Sequence, residues 1–276
     1  MPRLALIACC AALLAVLAPS ASADPARGAV FSGTGVWVDV WDAGELHPQA
    51  VVAEAQLHGI PVIYVESANA RSPADVVHPR ALRRLVALAH AAGIRVVPWY
   101  LPGYDRPAVD RRRLLAAVAL GGDGIGVDIE ATYVRDPALR ARRASRMLAW
   151  LRHGNPALPI AAITPNPVHN YWPVFPWYGI RWNADAVLPM CYAPRPQTAA
   201  QTAAMVRGCV REPRRRTGHR GFPVHVIAGL AAGLPPRSLL AAAQASLDAG
   251  AEGFSLYDLA TTTPAGWRAL RVFAAG

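Results

Sequence analysis

The residues best placed to do chemistry lie in Gly122–Glu130, which reads Gly-Asp-Gly-Ile-Gly-Val-Asp-Ile-Glu. An apolar run that ends in acids predicts a buried β-strand with carboxylates at its exit. Side chains alternate along a strand, so Gly126, Asp128 and Glu130 share one face, while Val127 and Ile129 face helices on the other. Two carboxylates so close together are costly in a core, and active sites that must hold one group as an acid use such pairs. The structural alternative is an Asp that caps the next helix beside a Glu in a surface ion pair.

The elements around this stretch alternate. Strands are expected over residues 35–41, 61–67, 94–100, 125–130, 160–164, 186–192, 224–229 and 253–257. Helices are expected over 48–58, 79–92, 111–120, 137–153, 198–210, 236–249 and 264–274. The return from the fifth strand is irregular and aromatic, with Tyr171, Trp172, Phe175, Trp177, Tyr178 and Trp182. Eight strand–return units in one chain are the pattern of an α/β protein built as a single (β/α)8 TIM barrel with eight parallel strands. Several strands are continuous apolar runs, as parallel strands covered on both faces should be. An open doubly wound sheet would place a glycine-rich phosphate loop after the first strand, and residues 36–45 hold none.

Residues 1–23 have the form of a secretory signal, with Arg3 ahead of an apolar stretch and Ala21-Ser22-Ala23 as a small-residue cleavage site. The apolar stretch is too short for a membrane span. The expected organisation is thus a leader over 1–23, a linker over 24–34 and a barrel over 35–276, the mature protein being secreted and monomeric. Cys191 and Cys209 remain after the leader. Export permits a disulfide between them, whereas their expected heights, near a strand top and near the bottom of the next helix, oppose it. No His/Cys spacing resembles a zinc site, and no metal or cofactor is expected. The net charge is +10, and every basic residue besides His is an arginine. Such a charge suits association with acidic wall polymers or membrane surfaces. The densest run, 211–220, is expected to be a solvated helix-to-strand connection, and no motif supports nucleic-acid binding.

Barrel enzymes build their sites where strands run out into the following loops. Those positions hold Asp39, Trp41 and Asp42; Glu66 and Asn69; Trp99, Tyr100 and Asp105; Asp128 and Glu130; Thr164 and Asn166; Met190 and Tyr192; and Tyr257 and Asp258. The seventh strand ends Ile-Ala-Gly and offers no acid. Trp37, Trp41, Trp99, Trp172, Trp177 and Trp182 lie at or near the same rim. Flat aromatic faces beside carboxylates suit sugar rings, which have apolar faces and polar edges. Trp41, Trp99 and Trp172 are expected to border the cleft.

These stretches resemble glycoside hydrolase family 18, the chitinases and endo-N-acetylglucosaminidases. The family's fourth-strand signature is Asp-x-x-Asp-x-Asp-x-Glu. Asp123, Asp128 and Glu130 match three of its acids, and Gly126 stands where the middle Asp belongs. Leu188-Pro-Met190-Cys-Tyr192 is similar to the family's Met-x-Tyr, and Gly253-Phe-Ser-Leu-Tyr257 to its last strand, with Tyr for the usual Trp. The resemblance implies an enzyme that hydrolyses glycosidic bonds of an N-acetylated polysaccharide or oligosaccharide. It implies Glu130 as general acid, with Asp128 orienting the N-acetyl group whose oxygen attacks the anomeric carbon, and Tyr192 donating to that group. Asp39, Trp41, Glu66, Trp99, Tyr100, Asn166, Trp172, Met190, Tyr257 and Asp258 are the expected substrate-binding residues. Losing the middle Asp leaves a gap beneath Asp128 that water or another side chain must fill. Two alternatives stay open: a non-catalytic carbohydrate-binding barrel, and a glycosidase with another carboxylate pair, such as Glu130 with Asp39 or Asp258.

Overall fold

The computed structural model describes residues 24–41, 46–169, 172–192, 197–229 and 233–276. The leader expected over 1–23, and Asp42 and Tyr171, lie outside the described residues.

Eight strands close on themselves in chain order: β1 (Gly33–Val38), β2 (Val62–Asn69), β3 (Arg95–Leu101), β4 (Ile125–Asp128), β5 (Ile160–Thr164), β6 (Ala186–Cys191), β7 (His225–Ala228) and β8 (Gly253–Leu256). All pairings are parallel, including the closing pair of β1 with β8. Outside lie α2 (Pro48–Leu57), α3 (Pro79–Ala91), α4 (Pro107–Val118), α5 (Pro137–Gly154), α6 (Trp177–Asn183), α7 (Ala199–Thr217), α8 (Pro236–Asp248) and α9 (Pro264–Ala274), after a short α1 (Pro25–Gly28). The fold is the (β/α)8 barrel expected from the alternation. Most of these helices start on a proline, whose fixed φ suits the first turn and whose missing N–H has no partner there anyway. α3 shows the local logic well. Leu82, Leu85, Val86 and Ala89 form its buried stripe, its arginines face water, and Gly93 takes φ +71° just past its end.

Alternation divides the core into layers. Outward-facing residues such as Val36, Val38, Ile63, Val65 and Val96 pack under the helices. Inward-facing residues fill the barrel itself: Trp37, Val62, Tyr64, Val97, Trp99, Ala161, Ile163, Leu188 and Ile227, with Phe31 below them. Trp37 stacks on Tyr64 at 4.3 Å between ring centroids, and its indole N–H donates to Ser255 Oγ at 2.8 Å.

Two expectations are corrected, and the question left open for the two cysteines is answered. Residues 24–34 are not a linker but the floor of the barrel. Phe31 is buried under the interior, Arg27 donates to Asp185 Oδ1 at 2.8 Å, and Arg95 donates to the carbonyls of Val30 and Ser32, both at 2.8 Å. The run after residue 210 is no loop, because α7 continues through Pro213 to Thr217 and ends at Gly218 in the left-handed conformation. Cys191 and Cys209 are joined in a disulfide, their Cα atoms 6.2 Å apart. The longer helix explains this pairing: Cys209 stands mid-helix, level with the top of β6, and not at the helix's lower end.

Candidate active site

Asp128 ends β4 and faces inward, with Glu130 two residues beyond it on the same side. Around them opens a cavity of about 360 Å³ at the carboxyl ends of the strands. Its walls include Trp41, Glu66, Trp99, Asp128, Glu130, Met190, Tyr192 and Tyr257, together with Asn69, Arg71, Leu101 and Tyr133. A smaller hollow of about 150 Å³, walled by Asp110, Arg111, Arg143 and Arg146, lies between α4 and α5 outside the barrel.

Burial shapes the proton affinities. Asp128 is 4 % exposed, and desolvation holds its carboxyl well above the usual range, with Glu130 and Glu66 adding like-charge repulsion. Its Oδ1 has no hydrogen-bond partner among the described residues. Glu130 is also raised, by desolvation. Glu66 is pushed up to about 7, first by burial and then by Asp39 and Glu130. Hydrogen bonds from Asn69 Nδ2 at 3.1 Å and the Val40 N–H at 3.2 Å work the other way. Burial raises Tyr192 far above an ordinary phenol, and Asp128, Glu130 and Asp258 add to the shift, so it stays a neutral donor. Tyr192 reaches the cavity because β7 runs out into Gly229. A Cβ there would meet Tyr192 Cγ at 2.9 Å. The acid-free seventh strand thus makes room for the tyrosine.

The gap expected beneath Asp128 is closed by other side chains. A Cβ on Gly126 would meet Trp99 Cβ at 2.8 Å and Ile163 Cδ1 at 2.9 Å, so this barrel packs apolar atoms where the resemblance expects an acid. Asp123 lies at the opposite end of the barrel, where its Oδ2 accepts from the Val96 N–H at 2.7 Å and approaches His90 Nε2 at 2.9 Å.

Other expected residues stand just behind the walls. Asp39 is 6 % exposed, accepts from the Trp41 N–H at 2.8 Å and receives the Tyr257 hydroxyl. Asn166 donates to the Tyr192 carbonyl at 3.0 Å and so fixes the loop carrying that tyrosine. Tyr100 and Trp172 are corrections. Tyr100 points outward, because its neighbour Trp99 points in, and its hydroxyl donates to Asp110 at 2.7 Å. Trp172 is 3 % exposed and does not line the cavity. It packs against Tyr104, Phe175 and the Arg140 guanidinium 4.0 Å away, and its indole N–H donates to the Glu130 carbonyl at 3.2 Å. Asp258 lies outside the cavity wall, and its Oδ1 accepts from the Thr261 N–H at 2.9 Å. Arg71 and Tyr133 escape sequence reasoning, since they lie outside the regular elements with no hydrophobic period to mark them, and Leu101 ends β3 one residue past the expected strand.

Among the described residues, no group of His, Cys, Asp and Glu is arranged to hold a metal ion, and no helix is long and apolar enough to cross a membrane.

No protein-family model matches the sequence, and no curated protein matches it significantly. Solved structures do match. An active-domain chitinase from Pyrococcus furiosus superposes with a TM-score of 0.69 at 11% identity, over 89% of this chain and 94% of that one. The family 18 chitinase from Cycas revoluta, in complex with allosamidin, gives 0.63 at 11% identity over 88% and 99%. The spore cortex-lytic enzyme SleL from Bacillus cereus gives 0.66 at 11% identity over 88% and 74%. The chain therefore has the barrel fold of family 18 chitinases, reached by a sequence far from theirs.

Proposed function

We propose that this chain is an exported glycoside hydrolase that cleaves glycosidic bonds of an N-acetylated glycan, with Glu130 as its general acid. The observation that carries this reading is the placement of Asp128 and Glu130 side by side in one cavity, both biased toward holding a proton, with the neutral phenol of Tyr192 on the same wall. Chitinases of this fold give the substrate class support, since that of Cycas revoluta was solved with (GlcNAc)3 bound.

In this mechanism Glu130 donates its proton to the glycosidic oxygen as the bond to the anomeric carbon breaks. The substrate's own N-acetyl carbonyl oxygen forms the new bond to that carbon, giving a cyclic oxazolinium. Asp128 holds the N-acetyl group in position, and in its carboxylate form balances the positive charge that develops there, which lowers the cost of ionising it. Tyr192 donates a hydrogen bond to the same carbonyl. Glu130, now a carboxylate, takes a proton from the water that reopens the ring. Trp41 and Trp99 offer aromatic surface to the sugars on either side. Turnover of chitin, peptidoglycan and N-glycan oligosaccharides by the mature protein, read as product masses, tests the reading. Binding without any product would leave a carbohydrate-binding barrel.

A second carboxylate pair has support from one observation. Glu66 lies in the same cavity and is held near neutral proton affinity, whereas Asp39 and Asp258 are engaged with Tyr257 and Thr261. If Glu66→Gln abolishes turnover as fully as Glu130→Gln does, Glu66 replaces the N-acetyl group as partner of Glu130.

A further inference from the structure

Arg71 is the one cation among the described residues that line the acid-rich cavity. It sits at the tip of a turn that follows β2. The Ser72 N–H donates to the Asn69 carbonyl at 3.0 Å, and the Arg71 N–H donates to Asn69 Oδ1 at 3.0 Å. Three carbonyls of this turn are gripped from α4 and its start: those of Asn69 and Ser72 by the buried Arg113 guanidinium at 2.5 Å each, and that of Ala70 by Arg106 at 3.0 Å. The Asn69 amide then reaches down to Glu66 at 3.1 Å, tying the turn to the cavity floor. The mount is rigid, and the Arg71 guanidinium lies over the Tyr133 ring, 5.0 Å from its centroid. Nearby acids are already committed. Asp75 pairs with Arg112 and Arg113, and Asp105 with Arg106. Arg71 itself forms no ion pair among the described residues. A preorganised, planar fork of donors at a cavity mouth, with no acid of its own, is suited to bind a carboxylate on the ligand.

We infer that Arg71 is a specificity residue that reads a carboxylate on the bound sugar, so that the preferred ligand is an N-acetylated glycan carrying acid groups and not a neutral polymer. This rests on the glycan reading of the same cavity. The strongly basic chain favours the same class of ligand, because its field attracts polyanions before contact is made.

The test is calorimetric binding with two probes of equal length. One is neutral chitotetraose, and the other is a tetrasaccharide alternating N-acetylglucosamine with N-acetylmuramic acid, whose lactyl ethers bear carboxylates. The wild type should bind the acidic probe roughly tenfold tighter, the scale of one charge-assisted fork. Arg71→Gln should bring the ratio of the two affinities near one. Arg71→Lys, which keeps the charge and loses the fork, should fall between. Rising salt should shrink the wild-type preference. Equal affinities in the wild type, a preference that survives Arg71→Gln, or no binding of either probe would each overturn the inference. A preference lost in Arg71→Gln, in a protein that hydrolyses neither probe, would uphold Arg71 and overturn the catalytic reading instead. The two proposals therefore fail separately.

Discussion

The two ends of the barrel interior both bury ionisable side chains, and the same force acts on each. At the lower end His225 is 1 % exposed, with Nδ1 2.7 Å from the Phe31 carbonyl, and desolvation pushes its pKa down to about 4. At the upper end desolvation lifts Glu66 to about 7 and raises Asp128 and Glu130. Burial favours the uncharged form of base and acids alike. What differs is access. Phe31 and Tyr64 close over the histidine, whereas the acids border an open cavity beside aromatic rings. A shifted pKa thus marks burial, and only its combination with access points to chemistry.

The largest effect expected from breaking this contrast is on the acid. Glu130→Gln preserves shape and hydrogen bonding but carries no transferable proton, and it should lower kcat roughly 10²–10⁴-fold. Glycan affinity should change far less, because the lost interaction belongs to the transition state. Wild-type turnover should fall as pH rises through the raised pKa of Glu130, which sits above its ordinary 4.5. A Glu130→Gln enzyme with turnover within a few-fold of wild type would exclude Glu130 as the acid.

The pH dependence of stability sharpens the comparison next. Glu66 holds its proton more tightly folded, at about 7, than unfolded, at its ordinary 4.5. Its contribution is therefore full below about pH 4.5 and lost as pH rises through 7. His225 behaves in reverse, its folded value of about 4 lying below its ordinary 6.5. Its contribution is full above pH 6.5 and lost as pH falls toward 4. Between pH 4.5 and 6.5 the two ends offset each other. Glu66→Gln removes one side, so the stability gap between variant and wild type should change by about 3 kcal/mol from pH 4.5 to 7, in the variant's favour at the higher pH. Urea unfolding at both pH values measures it, and a gap independent of pH would place Glu66 in water and not in a dry wall.

The layer between the two ends is the third place to press. Aspartate at position 126 would restore the family signature, but its Cβ would collide with Trp99 and Ile163. Gly126→Asp should cost about 1–3 kcal/mol by overpacking, before counting the desolvated acid. Ile163→Val in the same chain, which removes the Cδ1 that the new Cβ would meet at 2.9 Å, should recover part of that cost. If Gly126→Asp alone is neutral in urea unfolding, Trp99 does not occupy the place of the missing acid.

These residues also show what the chain discloses before it folds. The eightfold alternation is legible because parallel strands and their return helices carry different periods, and Asp128 and Glu130 are legible because a strand repeats every second residue. The same rule allows only one of Trp99 and Tyr100 to face the cavity, and the sequence does not say which. Trp172 stands in an irregular segment with no period to orient it, so its burial against Arg140 depends on tertiary packing. The disulfide and the Arg71 mount are hidden for a related reason. Each depends on where α7 or α4 lies against a distant loop, and no local pattern encodes that.

The smallest expected effect concerns Trp41, the counterpart of Trp37 across the two ends. Trp37 is sealed in the barrel with its indole N–H donated to Ser255, whereas Trp41 is 82 % exposed on the cavity wall. An indole left in water has little to contribute to folding, and removing it should alter stability by no more than about 0.5 kcal/mol. Its flat face is of use only when a sugar ring covers it, where stacking contributes about 0.5–1.5 kcal/mol. Trp41→Ala should therefore weaken glycan binding by a few-fold to about tenfold, with the unfolding midpoint almost unmoved. The ring contacts the sugar equally in ground and transition states, so the loss should fall on KM and leave kcat near its wild-type value. A Trp41→Ala protein that binds oligosaccharide as tightly as wild type would remove Trp41 from the binding surface, leaving the buried Trp99 as the aromatic platform of the cavity.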